Sequence, residues 1–98
     1  MEFYEYVVFF DEPSKKEVLE VVDDETQWNL FSSAENLIGY VAREIAESKA
    51  SDWELYDEDD YVYLVIRQEQ SEEWEITKVC VQYIRMFDDE QIDLDDLD

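Results

Sequence analysis

Histidine is absent from the 98-residue sequence, and cysteine, glycine and proline each occur once. Without histidine there is no His-based catalytic triad, and one cysteine supplies too few ligands for a zinc site. The single glycine, Gly39, excludes a Walker-type phosphate loop and a dinucleotide fingerprint, because both need several glycines. These absences predict a protein that is not an enzyme and that uses no cofactor.

Basic residues are also scarce, with 7 Lys and Arg against 29 Asp and Glu and a formal net charge of −22 at pH 7. This charge opposes direct binding to nucleic acid or to anionic lipid, because both attract positive groups. We therefore expect a polyelectrolyte partner to be basic. Like charges repel in the compact state, so stability should rise with added salt. Solubility and adaptation to high salt are the alternative explanations of the charge.

The lone Cys80 cannot form an intramolecular disulfide, which fits a reducing compartment. No apolar run approaches the roughly 20 residues that a membrane-spanning helix needs. The first residues include acids where a signal peptide would carry bases. We therefore expect a cytoplasmic protein that does not enter the membrane.

Apolar residues are plentiful despite the charge, since 46% of the chain is hydrophobic and 15% is aromatic. Such a content is too high for a disordered acidic chain and predicts a folded core inside an anionic shell. The length fits one domain. We assign this domain to residues 1–87 and predict that residues 88–98 are a mobile acidic tail, which could also fold onto a basic partner.

Hydrophobic periodicity predicts an α+β domain with the order β-β-α-β-β-β, in which one helix packs across an antiparallel sheet of four to five strands. The helix has a capping-box spacing at Ser32 and Glu35 and an apolar stripe to about Lys49, and Gly39 within it suggests a close approach to the sheet. The predicted strands are residues 2–10, 15–22, 53–56, 61–69 and 74–87, with a loop at residues 26–31.

The sequence also predicts details of three of these strands. Residues 15–22 fit a strand or a short helix, and their β-branched residues narrowly favour the strand. In residues 61–69, Val62, Leu64 and Ile66 should face the core while Tyr61, Tyr63, Arg67 and Glu69 face outward. The apolar parity of residues 74–87 changes near Thr77 or Lys78, which predicts a β-bulge.

The run Asp57–Asp60 has four consecutive acids, which could coordinate Mg²⁺ or Ca²⁺. It lacks the alternating ligands and the glycine of an EF-hand loop, so we predict no metal site and interpret the run as a mobile loop. Paired carboxylates also serve glycosidases, but that chemistry needs an aromatic-lined cleft, for which a domain of this size has little room.

Carboxylates two residues apart on a strand lie about 6.6 Å apart on one face, comparable with successive phosphates of a nucleic-acid strand. Glu73 and Glu75 have this spacing, and Asp57 and Asp59 have it if extended. On a helix, side chains three or four residues apart are about 5–6 Å apart, as for Glu44 and Glu47. A folded surface of this kind can present a charge pattern that a DNA-binding protein recognises.

In size, charge excess, lack of catalytic motifs, and acids set beside aromatics, the chain resembles the small acidic DNA-mimic inhibitors of phages and other mobile elements, including anti-restriction and anti-CRISPR proteins. The resemblance implies a protein–protein interaction with a basic nucleic-acid-binding protein, such as a CRISPR effector, a restriction enzyme or a similar nuclease. It also allows a homodimer, which the two-sided strand at residues 2–10 would permit. These inhibitors have many unrelated folds, so the resemblance implies no architecture.

We predict that the partner-binding acids lie around the two ends of the strand at residues 61–69, with aromatics beside them. The predicted partner-binding residues are Asp57, Glu58, Asp59, Asp60, Glu69, Glu72, Glu73, Glu75, Asp88, Asp89, Trp53, Tyr56, Tyr61, Tyr63 and Trp74, with Glu90 in support. Two alternatives remain: an immunity protein or antitoxin that neutralises a basic toxin nuclease, and a non-enzymatic structural or accessory binding module. Binding through charge should weaken steeply with salt, whereas a hydrophobic contact should not.

Overall fold

The computed structural model describes residues 2–24, 27–83 and 86–97. It is an α+β fold, as predicted, with one five-stranded antiparallel sheet. The elements are β1 (Glu2–Phe9), α1 (Lys15–Asp23), β2 (Asn29–Ser33), α2 (Ile38–Lys49), β3 (Tyr61–Gln68), β4 (Trp74–Tyr83), β5 (Met86–Ile92) and the 3₁₀ turn η1 (Leu94–Asp96). The strand order in the sheet is β2-β1-β3-β4-β5. The prediction of one helix in the order β-β-α-β-β-β is wrong, because a helix separates the first two strands.

Helix α1 occupies the segment for which the sequence narrowly favoured a strand. Its N-cap is Ser14, whose Oγ accepts a hydrogen bond from the Glu17 N–H at 3.1 Å, while Glu17 Oε1 accepts one from the Ser14 N–H at 3.0 Å. This reciprocal capping box satisfies two backbone donors at the helix start. Val18 and Val21, three residues apart, are buried on one side of the helix. The cap and this spacing outweigh the β propensity of the valines.

Strand β2 occupies residues 29–31 of the predicted loop, whose first residue lies outside the described part of the chain, and it takes the first residues of the predicted long helix. Ser32 and Ser33 pair with Phe3 and Glu2 of β1, so they are in the sheet and cannot begin a helix. Helix α2 therefore starts at Ile38, after an N-cap residue, Leu37, that makes no side-chain cap. Its predicted end at Lys49 is confirmed.

Two further strand predictions are corrected near the loops. Residues 53–56 are not a strand, because the Trp53 N–H donates to the Lys49 carbonyl and the Leu55 N–H to the Ala50 carbonyl, which continues the end of α2 as turns. The predicted strand at 74–87 is β4 and the start of β5. The register is regular through Thr77 and Lys78 and shifts between Val81 and Tyr83, so the irregularity lies nearer the end of β4 than predicted.

The sheet carries a hydrophobic cluster on each face. Val62, Leu64 and Ile66 pack with α2, which confirms the predicted inner face of β3. On the opposite face Val65 packs with Val18 of α1 and with Leu97, so this face is also covered. The predicted outward direction is therefore wrong for Tyr63 and Arg67, which are only 5% and 6% exposed. Covering on both faces is one of the two arrangements expected for the two-sided apolar pattern of β1.

The C-terminal acidic segment belongs to the sheet. Strand β5 pairs with β4 from Tyr83↔Met86 to Ile76↔Ile92, and Leu97 is buried in the second cluster. Residue 88 is therefore not a boundary of the sheet, and the mobility of this segment stays a prediction. Gly39 makes the expected close approach: a Cβ atom there would lie 3.1 Å from Cγ of Asp89 on β5.

Candidate functional site

The acidic loop before β3 is organised by one of its own carboxylates. Asp60 Oδ2 accepts hydrogen bonds from the backbone N–H groups of Asp57 and Tyr56, at 3.0 and 3.2 Å. The Asp60 N–H donates in turn to the Asp57 carbonyl at 3.0 Å. A carboxylate that satisfies backbone donors offers the chain a local alternative to a helix or a sheet ladder. These bonds hold the other acids of the loop in defined positions.

The loop is also tied to β4 by its backbone. The Asp59 N–H donates to the Val81 carbonyl at 2.9 Å, and the Val81 N–H donates to the Asp60 carbonyl at 2.8 Å. Asp59 has a φ of 76°, in the left-handed region that Asp tolerates better than most residues. The loop therefore extends the hydrogen bonding of the sheet beyond the first residue of β3.

Strand β5 brings further acids to the same end of the sheet. Asp88 lies opposite Cys80, which lies opposite Tyr61, the residue that follows the acidic loop. Adjacent strands are about 4.8 Å apart, so this row places Asp88 two strands from the start of β3. Glu90 pairs with Lys78 in the next row on the same face. We call the six acids Asp57, Glu58, Asp59, Asp60, Asp88 and Glu90 the loop-end surface.

The pKa of the Cys80 thiol is affected by acids from two segments of the loop-end surface. Burial raises the pKa of Cys80, Lys78 lowers it, and the carboxylates of Asp88, Glu90 and Asp59 raise it further. Asp59 of the loop and Asp88 and Glu90 of β5 are therefore all close enough to Cys80 to act on its thiol.

Asp89, although next to Asp88, has a different environment. Its carboxylate pairs with Nε of Arg43 on α2, and the Asp89 side chain is 21% exposed. Asp88 is 58% exposed and lies 4.0 Å from Arg43 Nη2. Side chains alternate along β5, so Asp89 points towards α2. Asp88 is therefore the more exposed of the two side chains. For this reason Asp89 is not part of the loop-end surface.

The remaining predicted acids lie at the other end of β3. Glu69, Glu72, Glu73 and Glu75 flank the β3–β4 turn, and we call them the hairpin-end surface. Because β3 has 8 residues, its first and last residues are separated by about 23 Å. Glu72, Glu73 and Glu75 line a groove of about 630 Å³ with Trp74 and Gln91. The structure therefore divides the predicted acids between two separate surfaces.

The predicted aromatics differ in their access to a partner. Tyr56 is 65% exposed and Tyr61 is 38% exposed, both beside the acidic loop. Trp53 packs partly against the α2 cluster, and Trp74 packs partly against the cluster on the other face. Tyr63 is a core residue, so burial removes it from the surface that was predicted for it. Its pKa is raised first by this burial, with Lys78 acting in the opposite direction.

Two features near the loop-end surface were not predicted from the sequence. Phe10 is 55% exposed and its ring lies edge-on to Trp53, with the centroids 6.1 Å apart. Lys78 Nζ lies 4.8 Å from the centroid of the Tyr61 ring. The pairing of Tyr63 with Lys78 could have indicated the second feature, but it depends on the register of the β3–β4 hairpin.

The four acids of the loop at 57–60 make no ion pair with the bases that the structure describes. Of those bases, Lys15, Lys16, Arg43 and Arg67 each pair with an acid elsewhere. Within the described residues, no three Cys, Asp or Glu side chains are grouped so that they could hold a metal ion. What this arrangement offers chemically is fixed negative charge beside exposed aromatic rings.

Comparison with protein families, with curated proteins and with solved structures finds no match to this chain. Of the helices in the described residues, none has the length and apolar character required to cross a membrane.

Proposed function

We propose that this chain is a DNA-mimic inhibitor whose loop-end surface occupies the nucleic-acid-binding site of a basic defence protein, such as a CRISPR effector or a restriction enzyme, in the cytoplasm of a host cell. The observation that carries this proposal is the acidic loop itself. Four consecutive acids are held by backbone hydrogen bonds to Val81 and by the Asp60 carboxylate, and no described base pairs with them.

A protein that binds DNA gains affinity when its Lys and Arg side chains release counterions from phosphates. A fixed group of carboxylates can replace those phosphates as the anionic ligand. Asp88 and Glu90, two residues apart on β5, stand on one face about 6.6 Å apart, which is close to the spacing of phosphates along a strand. The inhibitor therefore supplies charge and lacks the bases and the groove.

Preorganisation distinguishes this surface from a flexible acidic tail. A mobile segment loses conformational entropy when a partner binds it, and this loss lowers the affinity. The loop at 57–60 is ordered by its own hydrogen bonds before any partner arrives. The repulsion among its acids is a cost in the free chain that a basic partner relieves on binding.

The test compares two double variants of equal charge. Asp57→Lys with Glu58→Lys alters the loop-end surface, and Glu72→Lys with Glu73→Lys alters the hairpin-end surface. Each changes the net charge from −22 to −18, and all four side chains are exposed. Asp59 and Asp60 stay unchanged, because Asp59 has a positive φ and the Asp60 carboxylate builds the loop.

Immobilised wild-type chain is incubated with host lysate at low and high salt, and the proteins released by salt are identified and purified. Displacement of labelled duplex DNA from each purified protein is then measured by fluorescence anisotropy. We expect the loop-end variant to inhibit at least about tenfold more weakly, because like charges across an interface are strongly unfavourable. The hairpin-end variant should stay within about threefold of wild type.

Circular dichroism and urea unfolding of both variants establish that the fold is retained. Equal losses of inhibition in the two variants would mean that total charge matters and that the loop-end surface has no special role. Inhibition that is insensitive to salt would contradict charge mimicry altogether.

A further inference from the structure

A small pocket lies beside the acidic loop, where β1 ends. It has a volume of about 290 Å³, and its lining includes Phe10, Trp53, Glu54, Asp59 and Asp60. Pockets that bind small molecules usually have roughly 300–1,000 Å³. The volume of this pocket is at the lower end of that range and is sufficient for one amino-acid side chain from a partner.

The aromatic wall of the pocket is both exposed and supported. Phe10 is 55% exposed and meets Trp53 edge-on at 84°, with the ring centroids 6.1 Å apart. Trp53 is itself held by Tyr6, at 6.3 Å and 71°, and packs against the α2 cluster. The wall is therefore a surface extension of the core, with its orientation fixed from below.

The polar side of the pocket is anionic. The described lining residues include the acids Glu54, Asp59 and Asp60 and neither Lys nor Arg, and Oδ2 of Asp60 also accepts the backbone hydrogen bonds of the acidic loop. Lys78 contacts Tyr61, which also lines the pocket, at 4.8 Å from the ring centroid. The aromatic surface left for a partner is consequently that of Phe10 and Trp53.

We propose that this pocket receives an arginine side chain from the basic protein that the inhibitor binds. The inference rests on the proposed function and specifies the chemistry of one contact within it. A guanidinium is planar and weakly hydrated, so it stacks on aromatic rings while its N–H groups donate to carboxylates. Lysine carries a compact, strongly hydrated charge and fits such a site less well. Aromatic wall and carboxylate rim together therefore select arginine over lysine.

The first test uses two synthetic peptides of equal length and charge, one alternating Arg with Gly and the other alternating Lys with Gly. Binding to the full chain is followed by NMR, with the indole N–H resonance of Trp53 as the reporter. The Arg peptide is expected to shift this resonance and to bind about threefold to fivefold more tightly than the Lys peptide, which is the range of one exposed cation–π contact. Equal affinities for the two peptides would overturn the proposal.

The second test removes the aromatic ring at one position and uses the same change as its control. Phe10→Leu keeps apolar bulk in the pocket, and Phe3→Leu makes the same change at a residue of β1 that is 49% exposed and lies outside the pocket. We expect Phe10→Leu to remove the preference for the Arg peptide and Phe3→Leu to retain it. A preference that survives in Phe10→Leu would overturn the proposal.

These outcomes are separable from failure of the proposed function. If DNA displacement depends on Asp57 and Glu58 while Phe10→Leu behaves as wild type, charge mimicry stands and the arginine pocket is wrong. If the Arg preference is present in wild type and absent from Phe10→Leu but no DNA-binding protein is inhibited, the pocket stands and the inhibitor function is wrong.

Discussion

The two ends of β3 carry similar numbers of acids and hold them by different means. At the loop end, the backbone of Asp59 and Asp60 is bonded to Val81, and the Asp60 carboxylate closes the loop. At the hairpin end, Glu5 from the neighbouring strand accepts hydrogen bonds from Arg67 Nε and from the Gln70 N–H, both at 3.0 Å. The loop end is therefore held by an acid of the loop itself, Asp60. The hairpin end is held by an ion pair between neighbouring strands.

The role of an acid in this chain depends on whether a base neutralises it. Glu5 compensates Arg67, which is 6% exposed and whose guanidinium lies 4.0 Å from the centroid of the Trp28 ring. Asp57 and Glu58 are exposed and have no such counterpart among the described residues. Sharing a sign of charge is therefore poor evidence that two acids share a role.

The largest effect is expected from breaking the hairpin end at Glu5. Glu5→Ala removes the carboxylate that both Arg67 and Gln70 use, so a nearly buried guanidinium loses its ion pair with Glu5. Breaking an ion pair of this kind is strongly destabilising because the remaining charge is poorly solvated. We expect the free energy of unfolding, measured with urea, to fall by about 2–4 kcal/mol.

Glu2→Ala is the matched control, since Glu2 is exposed at the start of the same strand and its carboxylate accepts one long hydrogen bond, at 3.4 Å, from Gln68 Nε2. Its cost should stay below about 0.5 kcal/mol, as for most surface substitutions. Similar losses for the two variants would show that the hairpin end is not held through Glu5.

A smaller loss of stability is expected when the loop end is broken at Asp60. Asp60→Ala leaves the Tyr56 and Asp57 N–H groups without their carboxylate acceptor, and we expect a loss of about 1–2 kcal/mol, typical of removing a side chain that caps backbone donors. Asp57→Ala, at an exposed position three residues earlier, should change stability by less than about 0.5 kcal/mol. Faster hydrogen exchange of these two amides in Asp60→Ala alone would locate the effect in the loop. Unchanged exchange would contradict the role given to Asp60.

Two copies of one sequence motif show how far the fold could be predicted. Ser14 and Glu17 have the same spacing as Ser32 and Glu35, yet only the first pair begins a helix. Ser14 follows Pro13 and has no strand partner, so the capping box decides its conformation. Ser32 is paired with Phe3 across the sheet, and this tertiary pairing overrides the local preference. Periodicity identified β1, α2 and β3, while local motifs alone could not separate these two cases.

The candidate site was partly visible in the sequence for a similar reason. A run of acids such as Asp57–Asp60 is local information and was predicted directly. The approach of Asp88 and Glu90 to that run depends on the pairing of β5 with β4, which a charged segment with few apolar residues does not reveal. Burial of Tyr63 likewise depends on α1 covering its face of the sheet, and α1 was interpreted as a strand.

The smallest expected effect is on the pH dependence of stability, and it differs between two buried tyrosines, Tyr4 and Tyr63, which lie towards opposite ends of the sheet. Burial raises the pKa of Tyr4 above its ordinary value of 10.0, and Glu2, Glu35 and Glu44 raise it further. Burial also raises the pKa of Tyr63, but Lys78 opposes the shift. Below about pH 10 these phenols are protonated in both states and their contribution to stability is complete. As the pH rises further, the unfolded chain ionises first, so the free energy of unfolding falls.

Tyr4→Phe removes one of these ionisations and should make stability less dependent on pH between 9 and 11, measured by urea unfolding at each pH. Tyr63→Phe should have a smaller effect, because Lys78 offsets part of the shift at that position. The comparison uses the slope with pH, since Tyr4→Phe also removes the hydrogen bond that the Tyr4 hydroxyl donates to the Glu35 carbonyl at 2.8 Å. A slope that is unchanged in Tyr4→Phe would mean that other groups cause the alkaline loss. A larger change in Tyr63→Phe would mean that the charges around the two tyrosines do not control the difference between the two ends.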